Sequence, residues 1–319
     1  MPPSAPLSSA IRWSPWTPTD LHLSPVVLAE TLDGGQAFRW RRETDGSWIG
    51  QWSQHCVRVR LGDDGGVEFA TLADASQDAA PAIRTYLRLD TDFAALADSL
   101  PWRSDPHLAN CLAAFPGLRL PRQPFGETLL GFLCSATKQI VQIKEMVALL
   151  AQNHGQLLFQ GRDVSPTRPW TGEPLVPTIN TLPTWATLAT IPEAKLRQCL
   201  LGFRARYISA TARYIADRPG WLEETEHLPY AAAKARLLEL PGVGEKVADC
   251  VLLFGASRLE AFPVDTWILK AMAKRYDLTG WKPAQIAHFG RQHFGPLAGL
   301  AQQYLFAYER AQSRRSIVT

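Results

Sequence analysis

Leu240-Pro241-Gly242-Val243-Gly244-Glu245-Lys246-Val247-Ala248-Asp249-Cys250 lies between two helical patterns, Tyr230 to Leu238 and Glu245 to Phe254. Pro241 and the two glycines specify a tight turn between antiparallel helices. Glycine admits positive φ and carries no side chain, so the amides of the turn and of the following helix can approach a phosphate directly. Such a grip binds without reading base sequence. A Pro-Gly-x-Gly turn also serves ordinary helical hairpins, so the turn alone leaves both readings open.

Lys246 sharpens the choice. It falls in the first turn of a helix whose apolar face is Val247, Cys250, Val251 and Phe254, where the helix dipole disfavours a cation. A rule broken at a tight turn marks a candidate site, and a neutral amine there is a nucleophile for a sugar or carbonyl carbon. A solvated surface lysine is the ordinary alternative. Nineteen residues on, Phe262-Pro263-Val264-Asp265-Thr266-Trp267 opens another helical pattern with Asp265 at its N-cap. Capping alone would account for that aspartate. If the chain folds back between them, however, Lys246 and Asp265 face one cleft. An amine beside an ionised carboxylate suits cleavage of an N-glycosidic bond, because the carboxylate stabilises the cationic sugar that forms as the base leaves.

Working outward, residues 1–100 carry 8 basic and 13 acidic side chains, against 25 and 17 in the remainder, within a net charge of only +3 over 319 residues. The basic excess therefore sits in the part that holds the glycine turn, a weak hint of a polyanionic partner. The length suggests two domains. Cys56, Cys111, Cys134, Cys199 and Cys250 are scattered singly, which argues against a disulfide framework or a four-cysteine metal cluster and fits reduced thiols. Met1 to Trp16 reads as a loose tail and not a secretory signal, and no stretch reaches membrane-spanning length.

Ser47 to Trp52, Cys56 to Leu61 and Gly66 to Leu72 read as an antiparallel sheet with short hairpins. Beyond Pro101 the pattern is helical: Glu127 to Asn153 broken near Ser135, Ala205 to Arg218, Tyr230 to Leu238, Glu245 to Phe254, Thr266 to Tyr276, Pro283 to Phe294 and Ala298 to Gln312. Gln160 to Pro183, rich in Pro, Thr and Gly, reads as a long loop. The expected architecture is a tail (1–16), an α+β antiparallel-sheet domain (17–104) and an all-α domain (105–319) carrying a helix-hairpin-helix at about 230–256.

The glycine turn followed by Pro-Val-Asp resembles the helix-hairpin-helix, Gly/Pro-rich, Asp superfamily of DNA glycosylases, and more closely its 8-oxoguanine DNA glycosylase branch. Gly35-Gln36-Ala37-Phe38-Arg39-Trp40, Gly202-Phe203-Arg204-Ala205-Arg206-Tyr207, Gln302 and Phe306 match in order, so the resemblance spans roughly residues 20–312. It implies a helix-hairpin-helix glycosylase domain and a base-excision-repair enzyme that flips and removes 8-oxoguanine, then nicks the abasic strand by β-elimination. Lys246 would be the nucleophile that forms a Schiff base, and Asp265 the assisting carboxylate. Gly35 would offer its carbonyl to the N7–H that 8-oxoguanine has and guanine lacks. Phe306 and Cys250 would sandwich the base, and Gln302 would bond its Watson–Crick edge.

The DNA contacts implied are the hairpin amides of Gly242, Val243 and Gly244, the turn containing Thr137 and Lys138, and Gln142, Arg204 and Trp267. The turn Ser135-Ala136-Thr137-Lys138-Gln139 stands where the family has an Asn-rich one, Gln142 where it has a second arginine, and Trp267 where it often has His. Weakened discrimination for an opposite cytosine is the expectation. No cofactor is required and no catalytic metal is expected, though carbonyls of Leu238, Leu240 and Val243 would suit a structural cation. The partner is double-stranded DNA containing 8-oxoguanine. The protein is expected to be a monomer, off the membrane, at the nucleoid within a bacterial cytoplasm or in a eukaryotic nucleus.

Iron–sulfur relatives are disfavoured because no cysteine follows Cys250. Lys246 disfavours a monofunctional alkylated-base glycosylase without excluding alkylated or other damaged bases as substrates. A non-enzymatic helix-hairpin-helix DNA-binding module would not need Lys246 and Asp265 together.

Overall fold

A computed structural model describes residues 12–72, 79–159 and 179–318. The N-terminal lobe contains β1 (Thr17–His22), α1 (Pro25–Asp33), β2 (Trp40–Arg42), β3 (Trp48–Trp52), β4 (His55–Leu61) and β5 (Gly66–Thr71). The five strands form an antiparallel sheet in the order β1-β5-β4-β3-β2. Alternation fixes its faces: Val59 stands opposite Phe69 on β5 and Trp48 on β3, and all three are buried. The β4–β5 turn closes because Gly65 adopts φ +82° and the Asp64 carboxylate accepts the Gly66 amide at 2.8 Å.

Two expectations need correction at the edges of this lobe. Residues 1–11 lie outside the described part, but residues 13–16 are not a loose tail. Trp13 bridges Leu72, the Ser14 amide bonds the Thr71 carbonyl at 2.8 Å, and the Arg60 guanidinium lies 4.2 Å from the Trp16 ring. Cation–π contact and backbone pairing offset the ordering of this short segment. The sheet also has two more strands than the three expected, β1 and β2.

The rest of the described chain is mainly helical, and its first two helices still fall within the α+β domain expected at 17–104. The chain continues through α2 (Ala80–Leu87), α3 (Phe93–Asp98), α4 (Pro106–Ala114), α5 (Phe125–Leu133), α6 (Ile140–His154), the strand pair β6 (Leu157–Phe159) and β7 (Ile179–Asn180), α7 (Trp185–Thr190) and α8 (Glu193–Leu196). There follow a π-turn at Arg197–Leu201, α9 (Arg204–Ala216), α10 (Trp221–His227), α11 (Tyr230–Leu238), α12 (Glu245–Gly255), α13 (Thr266–Arg275), α14 (Pro283–Phe294) and α15 (Ala298–Val318). The expected break near Ser135 separates α5 from α6. Of the expected loop, 160–178 lies outside the described residues, and Ile179–Asn180 pairs with β6. The helices that periodicity missed, α2, α3, α4, α7, α8 and α10, have four to nine residues, too few turns for a face to show. Their caps were legible: Asp92, Asp105 and Thr184 each accept an amide three residues on.

The two lobes share one continuous core that runs from Trp40, Val57 and Phe69 in the sheet to Phe254, Met272 and Leu305 in the helices. Within it α12 is buried from Val247 to Gly255. Its one charged residue there, Asp249, is 1% exposed and accepts Tyr230 Oη at 2.7 Å while Lys234 Nζ lies 3.0 Å away. These partners come from α11, so the ion pair ties the two arms of the hairpin. Removing one member of a buried pair strands the other. We expect Asp249→Ala to lower stability in urea unfolding by roughly 3 kcal/mol; a loss under about 1 kcal/mol would mean that the pair does not brace the hairpin.

Candidate active site

The turn between α11 and α12 is built around Gly242, whose φ is +82°. A Cβ there would sit 2.7 Å from Tyr207 of α9, so only glycine fits the packing. Gly244 caps α12 in open space, with extended backbone and no side-chain bond to the free amides. Those amides face outward at the positive end of the helix. Val243 is buried beneath the turn.

Lys246 is in the first turn of α12 and points into the interior edge of the fold. Its Nζ lies 3.4 Å from Ser135 Oγ and 4.9 Å from the centre of the Phe132 ring, both at the end of α5. Asp265 caps α13, where its Oδ1 accepts the Ile268 amide at 2.8 Å. Burial pushes the Asp265 carboxyl above the ordinary aspartate value, against the opposing pull of the Ile268 amide and the Lys246 amine. The carboxylate is therefore less firmly ionised than its place at a helix cap suggests. The two groups feel each other's field but form no direct ion pair among the described residues.

Around this pair the chain closes a cleft of about 40 Å³ lined by Gly35, Gln36, Phe132, Lys246, Cys250, Phe254, Pro263, Asp265, Gln302, Gln303 and Phe306. All six residues assigned to chemistry or base contact thus meet in one place, including Gly35 from the other lobe. Burial holds the Cys250 thiol at about 12, so it is a neutral apolar wall and not a competing nucleophile. Gln302 is 2% exposed and its amide is fully directed: Nε2 donates to the Pro263 carbonyl at 3.0 Å and Oε1 accepts from Gln303 at 2.5 Å. The volume is close to that of one or two waters. A planar ring enters only if a wall moves, and Phe306 is the partly exposed aromatic of the lining.

A larger cleft of about 950 Å³ opens elsewhere between the lobes, beside Trp52, Tyr86, Glu127 and Trp185. It contains none of the six residues, so size alone misplaces the chemistry.

The remaining predicted residues differ in exposure. Thr137 and Lys138 are exposed on the turn that follows Ser135, and Thr137 adopts φ +55°, a strained conformation for a β-branched residue. Gln142 is exposed and its side chain accepts the Gln139 amide at 3.2 Å. Arg204 departs from the expectation of an open arginine. It is buried, and Nη2 donates to the Ala136 carbonyl and, at 3.0 Å, to Thr137 Oγ1. It props the turn instead of presenting a free fork. Trp267 is half-buried with Lys270 Nζ 5.9 Å from its ring. Leu240 is buried and Leu238 exposed, and the Leu240 carbonyl accepts the Val243 amide at 3.1 Å.

Four contributors were missed from sequence. Phe132 and Gln303 line the cleft, and Phe203, 45% exposed, stands over the Arg204 guanidinium at 4.4 Å. Arg310 is the fourth: with Gln302 and Phe306 it makes a three-residue stripe at every fourth position of α15, and this spacing was the available signal.

Comparison with known proteins agrees with this geometry. Residues 20–129 match the family described as 8-oxoguanine DNA glycosylase, N-terminal domain. The N-glycosylase/DNA lyase OGG1 of Arabidopsis thaliana is 30% identical over 309 residues, 92% of this chain and 80% of that protein. A crystal structure of the Clostridium acetobutylicum 8-oxoguanine glycosylase/lyase, bound to double-stranded DNA with cytosine opposite 8-oxoguanine, superposes with a TM-score of 0.78. It has 30% identity and covers 90% of this chain and 92% of that one. A 3-methyladenine DNA glycosylase from Archaeoglobus fulgidus shares the fold at 18% identity and a TM-score of 0.67, covering 92% and 98%.

Two measurements test the electrostatics. The Asp265 carboxyl should titrate by NMR above the ordinary aspartate range, and Lys246→Met should raise it further by removing the amine that opposes burial. A downward shift in the variant would overturn the proposed proximity.

Proposed function

The chain belongs to the 8-oxoguanine DNA glycosylase/lyase family, and from that premise we propose how its cleft removes 8-oxoguanine from duplex DNA and nicks the abasic strand. The observation that carries the assignment is the convergence of Lys246, Asp265, Gly35, Cys250, Gln302 and Phe306 on one small cleft.

The damaged nucleotide rotates out of the duplex while the hairpin amides of Gly242, Val243 and Gly244 hold a phosphate. The turn at Thr137 and Lys138, with Gln142, Arg204 and Trp267 around it, occupies the vacated stack and the widowed base. In the cleft Phe306 moves to stack on the base against the Cys250 thiol. Gln302, aligned by Pro263 and Gln303, reads the Watson–Crick edge. The Gly35 carbonyl accepts the N7–H of 8-oxoguanine. Guanine offers no proton there and leaves the carbonyl unpaired, which costs about 1–3 kcal/mol in a buried site.

The chemistry is a displacement at the sugar. The unprotonated Lys246 amine attacks C1′, the glycosidic bond breaks towards the base, and the Asp265 carboxylate stabilises the positive charge on the sugar. The secondary ammonium so formed gives its proton to the departing base, and the nitrogen lone pair then expels O4′, which takes a proton from water, to leave the ring-opened Schiff base. Loss of a C2′ proton then expels the 3′ phosphate by β-elimination, and water hydrolyses the Schiff base to return Lys246. No cofactor takes part.

The hairpin carbonyls also suit a structural cation. Leu238 ends α11, where helix carbonyls lack intrahelical partners, and Leu240 keeps a lone pair beyond its bond to Val243. Leu238, Leu240 and Val243 would hold such an ion, which would brace the turn electrostatically. The enzyme acts as a monomer wherever the duplex is, at the nucleoid or in the nucleus.

Borohydride added to enzyme and an 8-oxoguanine duplex should trap a covalent adduct with the wild type and none with Lys246→Gln; no adduct from the wild type, or an undiminished one from the variant, would sink the mechanism. The acid limb of single-turnover excision should lie above the ordinary aspartate value, because activity is lost as pH falls through the raised Asp265 pKa. With Gln142 in place of an arginine and Arg204 buried, excision opposite C, A, G and T should differ by no more than about tenfold, the worth of one good base contact. A C-only enzyme would refute this.

A further inference from the structure

We infer that Arg310 is a positioning residue for base selection, a role that rests on the Gly35 reading and extends it. Gly35 adopts φ +99° and has no side chain to hold it. A carbonyl that discriminates by being left unpaired works only if it cannot swing to another donor. Arg310 supplies the restraint from the other lobe. It is 6% exposed; Nη1 donates to the Gly34 carbonyl and Nη2 lies 3.1 Å from Glu30 Oε2 at the end of α1. Its guanidinium also lies 5.5 Å from the Phe306 ring.

One planar fork therefore fixes the peptide that precedes the discriminating carbonyl and the helix end that carries it, and lies beside the ring that closes on the base. A Cβ on Gly35 would meet Arg310 Nη1 at 3.4 Å and Ile140 Cδ1 at 2.6 Å, so the loop is gripped from both sides. The second side is α6, where Lys144 pairs with Asp33 at 2.8 Å. Lysine in place of Arg310 could reach the carbonyl or the carboxylate but not hold both in one plane. The design predicts that Arg310 matters for choosing a base and not for handling a sugar that has none.

The test compares two reactions of the same enzyme on the same duplex: excision of 8-oxoguanine, and strand cleavage at a preformed abasic site, which needs Lys246 but no base pocket. Arg310→Met should slow single-turnover excision by at least about tenfold and lower the preference for 8-oxoguanine over guanine. Abasic cleavage should stay within about twofold, and Arg310→Lys should fall between. Wild-type excision by Arg310→Met, or equal losses in both reactions, would overturn the role. Should Arg310→Met fail to fold, Glu30→Gln carries the test: it loosens one arm of the fork, so excision should drop about threefold at unchanged abasic cleavage, and unchanged excision would overturn it. A wild type that cleaves neither substrate would instead remove the Lys246 reading.

Discussion

Helix α12 enters the core with a charge on it, and the pairing of Asp249 with Lys234 and Tyr230 is what allows that. Unpaired, the carboxylate would cost several kcal/mol at this depth. Paired, it locks α12 to α11 and sets the turn between them. The first turn of α12 then emerges at a fixed place, with Gly244 amides outward and Lys246 inward against Ser135 and Phe132. One face of the same helix supplies Cys250 and Phe254 to the cleft. The hairpin amides, the Lys246 amine and one wall of the cleft are thus positioned by one buried element.

Two forms of electrostatic control meet in the cleft. Burial raises both Cys250 and Asp265, with opposite consequences. For the thiol it preserves a neutral wall beside the amine. For the carboxylate it opposes the charge the reaction needs, and the Ile268 amide and Lys246 offset only part of that. The carboxyl is held above its ordinary value by burial, beside the amine whose field opposes that rise.

The closed cleft and the occupied Arg204 give the free protein a consistent character. Polar groups around the cleft are engaged internally: Arg204 by Ala136 and Thr137, although its Nε is buried without a partner among the described residues, Gln142 by Gln139, and Gln302 by Pro263 and Gln303. Any ligand that engages these groups must exchange these bonds, so its net affinity depends on the difference between two bonded states. Thr137 at positive φ stores strain in the turn that follows Ser135.

Much of this was written in local sequence. Pro-Gly-Val-Gly with Lys246, the Pro-Val-Asp cap and the alternating strands report chemistry that neighbouring residues settle among themselves, so the hairpin, the cap and the sheet were legible. The short helices were not, because four to nine residues carry too few turns, and neither was the anchoring of Trp13 to Trp16, which depends on Arg60 and Leu72 across the sheet. Sequence also could not say that Gly35 reaches the cleft that holds Lys246, nor that Arg204 would turn inward, nor that Arg310 bridges the lobes. Such placements arise when two lobes bury one core and each polar group takes whatever partner the closed chain leaves within reach. Sequence determined which groups are present and which turns they shape; tertiary structure alone decided which face each other, since desolvation and distance act between residues far apart along the chain.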